Sequence, residues 1–328
     1  MRTIDWRDGH VVAIDQTRLP DELVLLEIHT VDALVDAIKR LAVRGAPALG
    51  AAGALGAALA ARQHATDPAA AREAATAVRA ARPTAVNLAG GVDRALTRLK
   101  DGPDAVLAEA LALLDEDVRR NRTLGERGAQ WLDETVGRPV TVQTHCNAGE
   151  LACVEWGTAL GVVRALHERG TLGHVYVCET RPLLQGARLT TWELAQLRVP
   201  HTLVVDAAAA SVLARGLANA VVVGADRITA NGDVVNKVGT YPLALAAQRA
   251  GVPMVVAAPE STIDPATPTG RDVEIELRAE DEVLTWGERR IAPVGTSALN
   301  LAFDVTPGEL VTAIVTDRRI IRPGVDAV

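Results

Sequence analysis

Five short, Val-rich runs in the second half of the chain constrain its fold more than any other feature. Helix-length segments separate them, among them Leu151–Glu168 and Pro242–Ala250. Such runs are typical of parallel strands that crossover helices bury on both faces. The sequence therefore predicts an α/β domain built around a parallel sheet. The five predicted strands are Val140–Thr144, Val175–Val177, Thr202–Val205, Ala220–Val223 and Pro253–Ala257.

Each predicted strand stops at polar residues. Cys146 follows the first strand, Glu179 the second, Asp206 the third and Asp226 the fourth. In open parallel sheets, ligands bind beyond the carboxyl ends of the strands. We therefore expect the chemistry of this protein to lie among these four side chains.

The first part of the chain has a different pattern. Residues 1–30 alternate as strands do around turn signals, which predicts a small antiparallel sheet. Alternation of strands with helices starts only after about Gly137. We predict an amino-terminal domain of strands and a helical bundle over residues 1–125, and a catalytic α/β domain over residues 126–328. The helices predicted for the first domain are Val31–Ala42, Ala48–Arg62, Ala69–Ala81, Thr84–Leu99 and Pro103–Arg120.

Composition excludes several classes of protein. The net charge of −7 argues against a nucleic-acid-binding surface, although a small anion can still bind where a few Arg and Lys converge. Three Cys without CxxC spacing indicate a reducing compartment and no disulfide framework. The amino terminus lacks the features of a signal peptide, and the apolar stretch Ala46–Ala61 is too rich in Ala and Gly to predict a membrane span. We expect a cytoplasmic protein that binds neither nucleic acid nor membrane.

Two segments combine an Arg with a Pro that marks the start of a helix. They are Arg44-Gly45-Ala46-Pro47 and Arg82-Pro83-Thr84. A helix amino terminus offers unpaired N–H groups and partial positive charge, and a guanidinium adds a forked donor, so each segment can anchor a phosphate or carboxylate. Either Arg alone also fits a surface or capping role, and both interpretations stay open.

Cys146 lies in Thr144–Gly149, where a predicted strand turns toward a helix. A thiol at a helix amino terminus has a lowered pKa, which would suit proton transfer. The alternative is an inert buried Cys, which is the interpretation we favour for Cys153.

Asp226 ends a run of three Val, so we expect partly apolar surroundings that raise its pKa toward neutrality and fit it for proton transfer. A cap for the following turn explains it equally well. Farther along, Asn236 and Lys237 supply an amide and an ammonium suited to sugar hydroxyls and phosphate, and Gln185 offers a second amide.

Familiar nucleotide and metal signatures are missing from the sequence. Gly50, Gly53 and Gly56 follow a helical spacing, which predicts close helix packing and not a dinucleotide fingerprint. There is no GxxxxGK[ST] and no HExxH, and His145 with the three Cys lacks the spacing of a zinc site. We expect no cofactor and no metal.

Six blocks of sequence together resemble the methylthioribose-1-phosphate isomerase family. That family belongs to a superfamily shared with ribose-1,5-bisphosphate isomerases and the regulatory subunits of a translation-initiation exchange factor. The blocks occur in the expected order over nearly the whole chain. They are VRGAPALG at 43–50, RPTAVNL at 82–88, THCNAG at 144–149, ETRPLLQGARLTTWEL at 179–194, GADRITANGDVVNKVGTY at 224–241 and NLAFDVTPGELVTAI at 300–314.

The resemblance implies a Rossmann-like carboxy-terminal domain, a homodimer, no metal or organic cofactor, and an aldose–ketose isomerisation of a sugar 1-phosphate in methionine salvage. It assigns the catalytic pair to Cys146 and Asp226. The residues that match the substrate-binding set are Arg44, Gly45, Ala46, Arg82, Gln185, Asn236 and Lys237.

The chain departs from the family pattern at two strand ends. Cys178 stands where many members have an acidic residue, and four Ala follow Asp206 in place of the commoner Ser-Met-Ala. Both departures concern the shape of the pocket for the 5-substituent of the sugar. The alternatives are therefore an isomerase of 5-deoxyribose 1-phosphate or ribose 1,5-bisphosphate, and a regulatory subunit that binds sugar phosphates without catalysis.

Overall fold

The computed structural model describes residues 2–83 and 85–328. The chain forms two compact units. The first comprises the residues up to Arg122 together with Ala148–Gly157, and the second comprises Thr123–Asn147 and Thr158–Val328. The boundary predicted at residue 125 lies close to Arg122, whereas no sequence pattern indicated that Ala148–Gly157 belongs to the first unit.

The first unit contains the predicted antiparallel sheet. Its strands β1 (Ile4–Arg7), β2 (His10–Ile14) and β3 (Leu25–Ile28) pair in the order β1-β2-β3. Alternation sends one set of side chains into the core of the unit, so that Val11 and Ile28, which face each other in the register, are both buried.

Five helices follow, and all five were predicted within a few residues, except that the last is longer. The start predicted at Thr84 for the fourth helix lies outside the described residues. Thr30 and Asp67 cap the first and third helices by accepting backbone N–H groups through their side-chain oxygens. The helices are α1 (Val31–Lys39), α2 (Ala46–Gln63), α3 (Pro68–Arg79), α4 (Val86–Leu96) and α5 (Pro103–Thr135), of which α5 begins in the first unit and ends in the second.

Glycine and alanine let α2 pack closely against α4. A Cβ at Gly53 would overlap the carbonyl oxygen of Leu88, and a Cβ at Gly91 would overlap that of Gly50. A Cβ at Gly56 would lie 2.8 Å from a methyl of Val78 in α3. The predicted role in helix packing is therefore confirmed for Gly53 and Gly56, whereas a Cβ at Gly50 would make only an ordinary contact at 3.5 Å.

The second unit is an α/β unit around a seven-stranded sheet. All the predicted Val-rich strands are present, and they are parallel as predicted. The helices are α6 (Ala159–Glu168), α7 (Thr191–Gln196), α8 (Ala209–Ala214), α9 (Thr240–Ala250) and α10 (Asp281–Leu284). The strands are β4 (Val140–Thr144), β5 (Leu172–Cys178), β6 (His201–Val204), β7 (Ala220–Val223), β8 (Arg227–Thr229), β9 (Val234–Lys237), β10 (Met254–Ala257), β11 (Ile263–Asp264), β12 (Thr285–Trp286), β13 (Arg289–Arg290), β14 (Phe303–Thr306), β15 (Ala313–Val315) and β16 (Ile320–Ile321).

The strand order of this sheet is that of a doubly wound fold. It runs β16-β15-β10-β7-β4-β5-β6, with β16 antiparallel at one edge. When the six parallel strands are renumbered along the chain, the order becomes 3-2-1-4-5-6. The central strands β7 and β10 are buried along their whole length, as strands covered on both faces must be.

A smaller sheet continues from the end of β7. Its order is β11-β8-β9-β14, and β9 lies antiparallel to both β8 and β14. This hairpin places Asp226, Asn236 and Lys237 beyond the large sheet. None of the helices in the described ranges is both long enough and apolar enough to cross a membrane.

Candidate active site

The carboxyl ends of β4, β5 and β6 meet at one edge of the large sheet. Thr144 pairs with Val177 in the register of β4 and β5, and Cys178 pairs with Val204 in that of β5 and β6. The polar residues that follow these strands are therefore neighbours, as the sequence predicted for Cys146 and Asp206.

Cys146 is held by its backbone on both sides. Its N–H donates to Thr180 Oγ1 (2.8 Å), and its carbonyl oxygen accepts from Thr190 Oγ1 (2.7 Å). Its φ is +64°, in the left-handed region, and its side chain is half-buried. These bonds fix the position of the sulfur-bearing residue relative to the loops after β4 and β5.

The predicted location of Cys146 at a helix amino terminus is wrong. After Cys146 the chain forms only one short 3-10 turn, Glu150–Ala152, and α6 begins at Ala159. The physical reason is that Ala148–Gly157 belongs to the first unit, so the chain leaves the second unit before the helix starts.

Asp206 organises the turn that holds Cys146. Its Oδ1 accepts the N–H of Thr180 (2.8 Å) and its Oδ2 accepts the N–H of Arg181 (2.7 Å). Because Thr180 also bonds the N–H of Cys146, Asp206 acts on Cys146 through Thr180. The sequence placed Asp206 at this edge but gave no sign of this supporting role.

His145 is a buried, neutral side chain beside Cys146. Its Nε2 lies 2.8 Å from the carbonyl oxygen of Val238 and therefore donates, while Nδ1 lies 4.0 Å from Asp206 Oδ1. Burial lowers the pKa of His145 below its usual 6.5, although Asp206 opposes that change. The imidazole packs against Gly239, where a Cβ would lie 2.7 Å from His145 Cε1.

Asn147 extends the network of hydrogen bonds to α7, the helix that follows β5. Its Nδ2 donates to Glu193 Oε1 (2.8 Å) and to Thr190 Oγ1 (3.2 Å), and both Asn147 and Glu193 are buried. Sequence reasoning missed Glu193. The signal available was an acidic residue in the first turn of α7, next to the buried Leu194.

Asp226 does not have the surroundings that the sequence predicted. Its N–H donates to the carbonyl oxygen of Val235 (2.9 Å), but its side chain is exposed among the described residues. The run of buried Val ends at Val223; Gly224 is still buried, Ala225 is half-buried and Asp226 is exposed, so the chain leaves the core at this turn. The predicted apolar enclosure is therefore not observed.

Asn236 and Lys237 are both ordered by local contacts. Asn236 Nδ2 donates to Thr240 Oγ1 (3.0 Å), and Asn236 is buried. Lys237 Nζ donates to the carbonyl oxygen of Ala302 (2.7 Å) and lies 4.4 Å from the centroid of the Phe303 ring. The strand pair β9–β14 thus positions an amide and a cation side by side.

Asp304 is a further residue of this region that sequence reasoning missed. It faces Asn236 across β9–β14, and its Oδ2 accepts the N–H groups of Gly239 (2.7 Å) and Tyr241 (3.1 Å) at the start of α9. Burial raises the pKa of Asp304 to about 6, against the opposing effect of these N–H bonds. The block NLAFDVTPGELVTAI at 300–314 contained the only sequence signal for it.

Gln185 is buried in the loop after β5. Its Oε1 has no hydrogen-bond partner among residues 2–83 and 85–328, which is the state expected of an acceptor that a ligand satisfies. The next residue must be glycine, because a Cβ at Gly186 would overlap the carbonyl oxygen of Cys178.

Four of the predicted binding residues lie in the first unit. Gly45 has φ +96°, and a Cβ there would overlap the backbone of Ala152. Ala46 begins α2, so Arg44 and Gly45 immediately precede a helix amino terminus, as predicted. Arg82 is half-buried, and its carbonyl oxygen accepts the N–H of Ala85 before α4.

Within the part of the chain that the structure describes, two groups of side chains could hold a metal ion. His145, Cys178 and Asp206 offer donor atoms within 4.8 Å of one another, and His10, Glu27 and His29 do so on the small sheet of the first unit. Residue spacing in the sequence did not predict either group. Cys178 is buried, and burial raises its pKa to about 12. No disulfide joins any of the three Cys.

A doubly wound sheet binds small molecules at its carboxyl edge, and here that edge carries a thiol and buried polar side chains. The fold and the site therefore define the class of α/β proteins that bind small molecules and include many enzymes. Comparison of the sequence with models of known families identifies one family within this class. Residues 42–323 match the model of the initiation factor 2 subunit family, IF-2B, and the chain belongs to that family.

Individual relatives have names that describe sugar-phosphate isomerases. A protein of Nocardia farcinica, named a probable bifunctional methylthioribose-1-phosphate isomerase/methylthioribulose-1-phosphate dehydratase, is 53% identical over 100% of this chain, which spans 61% of that relative. The 5-deoxyribose 1-phosphate isomerase of Moorella thermoacetica is 49% identical over 98% of this chain and 94% of its own length. The crystal structure of 5-methylthioribose 1-phosphate isomerase from Pyrococcus horikoshii OT3 has a TM-score of 0.91 and 40% identity, covering 98% of this chain and 92% of that one.

Proposed function

We propose that the chain is an isomerase that converts 5-methylthioribose 1-phosphate to 5-methylthioribulose 1-phosphate in methionine salvage. The observation that carries the proposal is the likeness, over nearly the whole chain, to relatives and a solved structure named for this substrate. The fixed position of Cys146 at the carboxyl edge of a doubly wound sheet supports it.

The reaction requires a proton at the ring oxygen. The 1-phosphate blocks the anomeric oxygen, so the sugar ring cannot open by loss of a hydroxyl proton. In the proposed mechanism Asp226 donates a proton to the ring oxygen, and the ring opens. Asp226 later takes a proton from O2 as the ketose forms.

Cys146 is the proposed partner for the transfer between C2 and C1. It either carries a proton between these carbons through an enediol or stabilises a hydride shift. Substrate deuterated at C2 separates the two routes, because a proton route releases deuterium to water whereas a hydride shift retains it at C1.

The substrate phosphate and hydroxyls need cations and amides. We assign phosphate binding to Arg44, Arg82 and Lys237, with N–H groups at Gly45 and Ala46. Gln185, whose buried Oε1 has no partner among the described residues, and the buried Asn236 are assigned to sugar hydroxyls. These assignments follow the matching positions of the family.

A second substrate is supported by the Moorella relative, which is named 5-deoxyribose 1-phosphate isomerase. A methyl and a methylthio group both suit an apolar pocket, whereas the second phosphate of ribose 1,5-bisphosphate needs further cations. Measurement of kcat/KM for these three substrates tests the proposal. We expect the methylthio sugar to give the highest value; a higher value for either competitor would reassign the substrate.

The family name is also consistent with a second function, that of a regulatory subunit in a larger assembly. Purified chain that turns over none of the three sugars, but co-purifies with partner proteins, would support that function instead. Retention of both Cys146 and Asp226 argues for catalysis.

We further propose a cytoplasmic homodimer. Exposed apolar side chains such as Leu277, Val294 and Leu299 support a protein interface on the second unit. Light scattering should give the mass of two chains, and the mass of one chain would contradict the dimer.

A further inference from the structure

We propose that His145, Cys178 and Asp206 form a binding site for a borderline-soft divalent cation such as Zn²⁺. Each residue follows or ends one of the three adjacent strands β4, β5 and β6, and the donor atoms lie within 4.8 Å of one another. The site is distinct from the groups assigned to the isomerase reaction, and none of its three ligands is among them.

The donor set selects the ion. An imidazole nitrogen, a thiolate sulfur and a carboxylate oxygen are all ordinary ligands of Zn²⁺, and three protein ligands leave a position for water. Cys178 is a protonated thiol in the free protein, so the cation binds its sulfur by displacing the thiol proton, which is released to solvent. The sulfur disfavours Mg²⁺ and Ca²⁺, which take oxygen ligands. The cation expected here is therefore Zn²⁺ or a chemical stand-in such as Co²⁺.

Neighbouring groups already orient each ligand. His145 Nε2 donates to the Val238 carbonyl oxygen (2.8 Å), so the lone pair of the neutral ring is at Nδ1, the atom nearest Asp206. Gln143 Nε2 lies 3.6 Å from Cys178 Sγ. Two backbone N–H groups hold Asp206. Metal-binding residues are commonly oriented by such partners.

The separations fit a metal after small side-chain movements. Two ligands of a tetrahedral Zn²⁺ lie about 3.3–3.7 Å apart for bonds of about 2.0–2.3 Å. His145 Nδ1 and Asp206 Oδ1 are 4.0 Å apart, and the side chain of Asp206 is 31% exposed, which gives an ion access from solvent.

Binding at this site would act on Cys146. Asp206 holds Thr180, and Thr180 Oγ1 accepts the N–H of Cys146. A cation that draws Asp206 toward His145 therefore disturbs Cys146. Zn²⁺ should inhibit the isomerase and a chelator should relieve the inhibition; this consequence, unlike the site itself, rests on the proposed function.

The test is a Co²⁺ titration of the full chain after chelator treatment. Co²⁺ bound to a thiolate gives a charge-transfer absorption that His and carboxylate ligands do not, so the group of His10, Glu27 and His29 contributes none. We expect the absorption in wild type and in Cys153→Ser, the matched control at another buried Cys. In Cys178→Ser we expect it to be lost, with Co²⁺ binding weakened at least about tenfold.

Cys146 is the other thiol that could bind Co²⁺ near this site, so Cys146→Ser is the third variant to be titrated. Absorption that is absent from wild type, that persists in Cys178→Ser, or that disappears only in Cys146→Ser would overturn the site. Circular dichroism checks the fold of each variant. If Cys178→Ser does not fold, Cys178→Asp restores the acidic residue common in the family and must still remove the thiolate absorption.

Inhibition is measured separately. Zn²⁺ should inhibit wild type at a concentration at least about tenfold lower than Cys178→Ser. If Co²⁺ binds as proposed but Zn²⁺ inhibits both proteins equally, the link to Cys146 is wrong. A chain without isomerase activity would refute the proposed function while the titration still decides the site.

Discussion

Gly239 offers a direct test of how the site is held. It has φ +105° immediately before α9, and a methyl there would lie 2.7 Å from Cε1 and 2.8 Å from Nε2 of the buried His145 ring. Gly239→Ala must therefore move the ring or the turn. Either movement weakens the bond from Nε2 to the Val238 carbonyl oxygen.

Three effects contribute to the expected cost. A left-handed backbone costs an L-residue roughly 1–2 kcal/mol, and leaving a buried polar group unsatisfied costs roughly 1–3 kcal/mol. Together with the close contact, we expect Gly239→Ala to lower the free energy of unfolding by about 3–5 kcal/mol. Gly251→Ala, at the other end of α9, is the matched control, because Gly251 has φ +68° and nothing within 4 Å of its Cβ position.

Urea denaturation followed by circular dichroism measures both variants. We expect Gly251→Ala to lose only about 1–2 kcal/mol and to keep its turnover. Gly239→Ala should lose the larger amount and also turnover, since His145 adjoins Cys146. Equal destabilisation of the two variants would show that the His145 contact does not hold this turn.

Three further predictions concern catalysis, pH and metal. Asp226→Asn cannot donate a proton, so we expect near-normal substrate binding and turnover reduced about 10²–10⁴-fold; a rate within a few-fold of wild type would remove Asp226 from the mechanism. Burial raises the pKa of Asp117 from 3.8 to about 6, so the folded state holds a proton between these pH values that the unfolded state has lost. Stability from this group is therefore present at low pH and lost as pH rises through 6, and wild type should lose about 2 kcal/mol relative to Asp117→Asn between pH 4 and 7 in urea denaturation; parallel pH profiles would contradict this. Prolonged treatment with a chelator should not lower isomerase turnover, and activity that is lost and then restored by one metal would refute a metal-free reaction.

The fold was largely predictable because burial leaves a strong pattern. β7 was predicted with its observed ends, since every residue in it is buried. The predicted helix Pro103–Arg120 was too short, because the charged segment at 119–127 interrupts the apolar pattern while buried Leu124 and Leu132 continue the same helix.

The candidate site was predictable only in part. The position of Cys146 followed from the end of a strand. Val238 bonds His145, Glu193 bonds Asn147 and Asp304 bonds Gly239. In each pair the two residues are distant in sequence, and no local pattern connects them. The exposure of Asp226 depended on where the chain leaves the core, which hydrophobicity alone did not determine.

Alkylation of Cys146 tests the proposed catalytic role most directly. Cys146 is half-buried whereas Cys153 and Cys178 are each 1% exposed, so iodoacetamide should modify Cys146 first, as mass spectrometry of the labelled protein would show. Activity should fall in step with that modification, and substrate should slow both. The account predicts that Cys146→Ser binds substrate but turns it over poorly. An active enzyme whose Cys146 resists alkylation, together with a fully active Cys146→Ser, would contradict it.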